Sequence, residues 1–264
     1  MTGMEQPVAL ITGAAKRVGR AIAERLAREG YAVVIHYGRS EQEAQQLVSE
    51  LVRNGHLAIA CQADLANETA IAKMMETVYE RFGRLDVLVN CAAVFFPDHL
   101  QDFRAVDLDQ AWTINCRAPL LLTQAFHWHA GRRKQSGTVI NIVDQKVRGN
   151  FHADDFSYTV SKTALGHLTA MLAVSAAPHL RINAVYPGLT APSGDQTEED
   201  FSYAREHATP LGYIATPADI AEACLLLTRA SFNGCDFVVD AGQNLVRVPH
   251  DVIQLYRSPA SKRA

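Results

Sequence analysis

Residues 8–19 read Val-Ala-Leu-Ile-Thr-Gly-Ala-Ala-Lys-Arg-Val-Gly, and this stretch decides the fold. A short apolar run (8–12) meets a glycine turn, and a helical pattern over 20–28 follows with Ile22, Leu26 and Ala27 on one face. Apolar runs of that length bounded by glycine read as buried strands, and spacing near 3.6 reads as helix. Glycines on such a turn let the backbone approach a pyrophosphate, while the helix N-terminus supplies unpaired N–H donors and partial positive charge. The strict G-x-G-x-x-G spacing is absent, so the turn alone leaves a purely structural role open.

The alternation repeats outward. Apolar, β-branched runs at 32–36, 57–61, 87–90, 138–143, 181–186 and 237–239 are separated by helical patterns, such as Leu165, Leu168 and Leu172. Strands alternating with helices imply right-handed crossovers between parallel strands. The expected fold is α/β: a Rossmann fold, a doubly wound parallel sheet of about seven strands with helices on both faces. No Pro- or Ser-rich linker interrupts it, so one domain over 1–264 is expected. Two irregular segments, 146–156 and 188–210, should fall beyond the carboxyl ends of the strands, where ligands bind in such sheets. The second is the expected substrate loop; 258–264 reads as a flexible tail.

Composition narrows the class. Twenty-five basic and 28 acidic residues leave a formal charge of −3 with no basic run, which argues against nucleic acid as a partner. No apolar stretch approaches the roughly 20 residues that span a bilayer, and the start lacks signal-peptide character. Cys61, Cys91, Cys116, Cys224 and Cys235 form no C-x-x-C pair, so free thiols in a reducing cytoplasm are expected. His99, His152 and His207 lack metal-ligand spacing and read as scattered surface histidines, so no metal site is expected.

The second strand ends His36-Tyr37-Gly38-Arg39-Ser40. An NAD site commonly places an acid there for the ribose 2′-hydroxyl. An arginine and a serine instead suit a 2′-phosphate, with Arg17 a possible second cation, so NADPH/NADP+ is favoured. The plain alternative makes Arg39 a solvated residue and Ser40 the cap of a helix over 41–53. Farther on, Tyr158-Thr159-Val160-Ser161-Lys162 puts a phenol and an ammonium on one helical face. A phenol titrates near pH ~10, and a nearby ammonium favours the phenolate, which suits proton exchange with a substrate.

Taken in order, Thr12-Gly13…Gly19, Asp64, Asn90-Cys91-Ala92-Ala93, Asn115, Tyr158-x-x-x-Lys162 and Pro187-Gly188 resemble the short-chain dehydrogenase/reductase family over nearly the whole chain. The departures are specific. Arg17 replaces the middle glycine of the turn, and Val143-Asp144-Gln145 stands where the family carries a catalytic serine. An ionised carboxylate only accepts hydrogen bonds, so it suits an amino or ring N–H better than a carbonyl. Thr-Gly-Ala-Ala-Lys-Arg-x-Gly, His-Tyr-x-Arg-Ser, the Asp and Phe95 together resemble the pteridine reductase branch, which includes dihydromonapterin reductases. There the matching phenylalanine stacks on the pterin, opposite the nicotinamide.

The resemblance implies catalysis by Tyr158, Lys162, Asp144 and Asn115, with Phe95, Asp144 and Tyr158 on the substrate. It implies a cofactor site of Gly13, Lys16, Arg17, Val18, Gly19, His36, Tyr37, Arg39, Ser40, Asp64, Leu65, Asn90, Ala92, Ala93, Tyr158, Lys162, Pro187 and Gly188, and a homotetramer paired through 107–135 and 157–176. Asp144 and Tyr158 lie fourteen positions apart, one more than in that branch, so either Asp144 or Gln145 fills the serine position. The expected activity is NADPH-dependent reduction of a pteridine or similar planar heterocycle. A ketone or 3-oxoacyl reductase and a non-catalytic NADPH sensor are the alternatives.

Overall fold

Successive side chains along a strand point to opposite faces of a sheet, so a strand covered on both faces reads as an unbroken apolar run. In a computed structural model, which describes residues 6–192 and 196–257, the seven runs form one parallel sheet. Its strands are β1 (Val8–Ile11), β2 (Ala32–Tyr37), β3 (Ala58–Gln62), β4 (Val87–Asn90), β5 (Gly137–Ile142), β6 (Leu180–Pro187) and β7 (Asp236–Val239). Their boundaries differ from the expected ones by about a residue, and the expected tail at 258–264 lies outside the described residues.

The strand order is β3-β2-β1-β4-β5-β6-β7. The chain winds outward from β1 to β3, then returns to the other side of β1, where Ile11 pairs with Val89 of β4. The connections leaving β1 and β4 therefore diverge, opening a crevice at their carboxyl ends.

The helices are α1 (Arg17–Arg28), α2 (Glu41–Arg53), α3 (Glu68–Phe82), α4 (Ala105–Trp112), α5 (Ala118–Arg133), α6 (Phe156–Ser175), α7 (Glu198–His207), α8 (Pro217–Leu227) and α9 (Val252–Arg257). Ala9, Ile11, Val33 and Ile35 face Ile22 and Leu26 of α1, Leu47 of α2 and Ile220 of α8. Leu10, Val34 and Leu88 face Met74 and Val78 of α3, Leu122 and Phe126 of α5, and Ala173 of α6. Both faces of the central strands are thus covered, while β3 and β7 at the two edges stay partly exposed.

The acidic patch within 188–210 is α7, entered through a capping box between Thr197 and Asp200. Phe201 and Ala204 pack with Val252 of α9, and Arg257 Nε donates to Asp200 Oδ1 at 3.0 Å. Among the described residues, no helix is long and apolar enough to cross a membrane.

Candidate active site

The glycine turn is held from below. Thr12 Oγ1 accepts the backbone N–H groups of Cys91 and Ala92 at 2.9 and 3.0 Å, tying the ends of β1 and β4 together. Gly13 adopts φ +65°, and a Cβ there would lie 2.9 Å from Ala92 Cα. A Cβ on Gly19 would run into the Gly13 carbonyl and sit 2.9 Å from Ala14 Cα. Both positions therefore require glycine. Arg17, where the family carries the middle glycine, also takes a left-handed backbone at φ +53°. That conformation costs an L-residue roughly 1–2 kcal/mol. Its guanidinium reaches across the crevice to donate to the Ala191 carbonyl at 2.9 Å. Lys16 caps α1 without a side-chain hydrogen bond and no acid occupies the first turn, so the helix end presents its N–H groups and positive dipole to the crevice.

His36 supports this turn from within. Its Nδ1 accepts from Gly13 N at 3.0 Å, and Nε2 lies 3.1 Å from the Ala63 carbonyl. Burial lowers its pKa from 6.5 to about 4, so it is the neutral Nε2–H tautomer. Both nitrogens being engaged, His36 lines the crevice but has no polar atom left for a cofactor. The side chains of Tyr37 and Asn90, both in the expected cofactor set, pack within the protein. Tyr37 is in the core, and Asn90 donates to Asn141 Oδ1 at 2.9 Å along the sheet. Neither they nor Ser40 line the cleft. Ser40 occupies the α2 cap position without making the cap hydrogen bond.

The cleft has a volume of about 860 Å³ and is lined by Gly13, Lys16, Arg17, Val18, Gly19, His36, Arg39, Asp64, Leu65, Ala92, Ala93, Asp144, Tyr158, Lys162, Pro187 and Gly188. Gly38, Gln62, Ala63, Cys91, Val94, Gln110, Ile114, Val143 and Thr190 also line it, and sequence reasoning missed them. They sit at a strand end, on α4, in the π-helical turn that follows α4 and in loops, and only the assembled fold brings them together. Lys16 pairs with Glu43 at 2.5 Å, whereas Arg39 makes no ion pair among the described residues. Asp64 accepts from Ala66 N at 2.9 Å, shaping the turn after β3.

The opposite end carries the acid–base groups. Tyr158 and Lys162, one turn apart on α6, both reach the cleft. Tyr158 Oη donates to Asp144 Oδ2 at 3.0 Å, so Asp144 partners the phenol. Gln145 instead accepts from Asn150 at 3.3 Å, away from the cleft. Burial, then the Asp144 charge and hydrogen bond, hold the Tyr158 phenol well above its ordinary pKa. This corrects the expectation of a lowered phenol: burial lowers Lys162 itself, and its ammonium donates to the Ile142 carbonyl at 2.6 Å. The Phe95 ring, 55% exposed, stands 5.2 Å from the Tyr158 ring and is not among the residues lining the cleft.

Asn115 lies in a π-helical turn, Thr113–Arg117, between α4 and α5. Such turns gather at functional sites. It is 0% exposed, and its amide bonds Val94 N at 2.8 Å, Val94 O at 2.9 Å and Ser161 Oγ at 3.0 Å. It therefore braces the loop after β4 against α6 and does not itself line the cleft. The surface-histidine expectation fails for His152, which is 8% exposed, and His99 bonds the buried Asp154 at 3.0 Å. His207 is exposed on α7. Lys146, from the polar segment, is 4% exposed, with its ammonium 5.5 Å from the Tyr158 ring centroid. Among the described residues, no group of three or more His, Cys, Asp or Glu could hold a metal.

These residues fit an NADP-type dinucleotide. The glycines admit a pyrophosphate at the α1 terminus, and an arginine replaces the acid that would repel a 2′-phosphate. The family model described as Enoyl-(Acyl carrier protein) reductase matches residues 13–244. An uncharacterized oxidoreductase of Methylorubrum extorquens is 34% identical, covering 84% of this chain and 90% of its own. A 3-oxoacyl-[acyl-carrier-protein] reductase of Synechocystis is 32% identical, covering 92% and 98% respectively. The solved structure of FolM alternative dihydrofolate reductase 1 from Brucella canis, complexed with NADP, is 32% identical with a TM-score of 0.86, covering 91% of this chain and 95% of that one. With the glycine turn, Tyr158 and Lys162 meeting in one cleft on this sheet, the chain belongs to the short-chain dehydrogenase/reductase family.

Proposed function

We propose that the protein uses NADPH to reduce a pteridine of the dihydropterin type, or a similar planar heterocycle. The observation that carries this reading is the Tyr158–Asp144 hydrogen bond of 3.0 Å, beside the Phe95 ring. NADPH, when bound, supplies a hydride. Transfer to the carbon of a C=N bond leaves the nitrogen needing a proton, and the neutral Tyr158 phenol is placed to give it. Asp144 accepts an amino or ring N–H of the heterocycle, while Phe95 offers an apolar face for it to stack on. Lys162 holds the cofactor ribose beside Tyr158, Arg39 meets the 2′-phosphate, and Arg17 braces the crevice through Ala191. Likeness to the Brucella dihydrofolate reductase supports this substrate class.

A second reading, reduction of a ketone or 3-oxoacyl thioester, draws on the likeness to the Synechocystis 3-oxoacyl reductase and on the Tyr158–Lys162 pair. The carboxylate counts against it, because Asp144 cannot donate to a carbonyl oxygen while ionised. NADPH oxidation with dihydropterins, with oxidised pterins and with ketones separates the two. Turnover of ketones with none of any pterin overturns the first reading.

We also propose a single-domain subunit that assembles as a tetramer through α4–α5 and α6. Trp112, Trp128, Met171 and Val174 leave apolar area exposed on these helices. Light scattering that returns a monomer mass refutes that assembly.

A further inference from the structure

Lys146 sits on the short 3₁₀ turn Gln145–Arg148 that follows β5, in a stretch whose polarity reads as solvated loop. Its backbone N–H donates to Asp144 Oδ1 at 2.8 Å. Its ammonium donates to Asp155 Oδ2 at 3.0 Å, and both side chains are buried. Asp155 caps α6 with a left-handed backbone at φ +60°, and its carbonyl accepts from Thr159 N at 2.9 Å. One lysine thus joins the turn carrying Asp144 to the helix end carrying Tyr158, and closes their fourteen-residue interval. We infer that Lys146 is a positioning residue, which aims the Asp144 carboxylate at the Tyr158 hydroxyl by clamping the Asp144 turn onto the start of α6.

The surrounding charges agree with this. Burial works against the ammonium, yet Asp144, Asp155 and Asp251 of the C-terminal segment hold the Lys146 pKa above the ordinary lysine value. On α6 the same space holds Tyr158 and Lys162, each ammonium lying 5.5–5.8 Å from the phenol ring. His152 and Asp154 of the loop complete the set, and burial and then Lys146 lower the His152 pKa. Lys146 therefore remains charged and fixed while the phenol stays protonated.

The effect on proton donation rests on the heterocycle-reductase reading; the aiming itself does not. The test labels the full chain with tyrosine carrying carbon-13 at the phenolic carbon and follows Tyr158, identified by its loss in Tyr158→Phe. Loss of the ammonium 5.5 Å from the ring by itself raises the phenol pKa, so Lys146→Met should let the phenol titrate at lower pH only through release of Asp144, which otherwise holds it neutral. Lys146→Arg should restore the native titration. If Lys146→Met fails to fold, Lys146→Gln, which keeps a hydrogen-bonding side chain in the buried site without the ammonium, is read in the same way. A phenol that titrates at the same or a higher pH than in the unaltered chain overturns the inference. With a working heterocycle assay, kcat should fall about tenfold as the donor is misplaced, with KM for NADPH unchanged. If no heterocycle turns over but the phenol titrates at lower pH, the substrate reading fails and Lys146 keeps its role.

Discussion

Replacing Asp144 with serine restores the residue usual in the family and tests the substrate reading most directly. Asp144 accepts from the Tyr158 hydroxyl at 3.0 Å and from Lys146 N at 2.8 Å. A serine hydroxyl can keep the short backbone contact but loses the ionised acceptor. Hydrogen bonds to a charged group are worth about 1.5–3 kcal/mol net. Taking about 2 kcal/mol as lost from the heterocycle transition state, kcat/KM should fall about thirtyfold, at tenfold per 1.4 kcal/mol. The sign reverses for a ketone, because serine donates to the carbonyl oxygen. The phenol should also ionise at lower pH, since the Asp144 charge and hydrogen bond raise it in the native chain. The assay follows NADPH absorbance with one dihydropterin and one ketone across pH, and fluorescence titration checks that the cofactor still binds. Equal losses on both substrates, or none on the pterin, would refute the reasoning.

Arg39→Ala should weaken NADPH binding about tenfold and leave NADH unaffected, since only the 2′-phosphate needs that cation; comparing the two dissociation constants decides it. His36 gives the fold a pH dependence. Its native pKa of about 4 lies below the ordinary 6.5, so below pH 6.5 the unfolded chain binds a proton that the folded chain refuses. Unfolding free energy should therefore fall by about 3 kcal/mol from pH 6.5 to 4, and His36→Gln should flatten that slope in denaturant melts. Gly19→Ala forces a Cβ against the Gly13 carbonyl and Ala14 Cα. It should destabilise the chain by about 2 kcal/mol and abolish NADPH binding, read by thermal unfolding with and without cofactor.

The sheet was legible because burial on both faces leaves continuous apolar runs such as 8–12 and 87–90. The Tyr158–Lys162 pair was legible because helical periodicity alone places residues four apart on one face. Other residues of the cleft were less so. His36, Tyr37 and Asn90 sit at positions where motif order suggests cofactor contact, yet each side chain is engaged within the protein. Whether a polar group at a strand end turns toward a ligand or a neighbour depends on the adjacent strand, and no local pattern encodes that. His152 reads as a surface residue, but its loop is held down by the C-terminal segment: Pro249 accepts from Ala153 N at 2.8 Å, and Asp251 N donates to Asp154 at 2.6 Å.

By itself the sequence determined the alternation of strands and helices, the glycine turn, the absence of an acid after β2 and the presence of a carboxylate in place of serine. These are local properties of residue type and spacing. Only the tertiary structure brought Asp144, and not Gln145, to the Tyr158 hydroxyl, and only it raised the Tyr158 phenol instead of lowering it. It also put Arg17 into a glycine-like backbone and brought Lys146 beneath the phenol. Those outcomes depend on burial and on groups far apart in the chain, because the energy of a charge is set by everything packed around it.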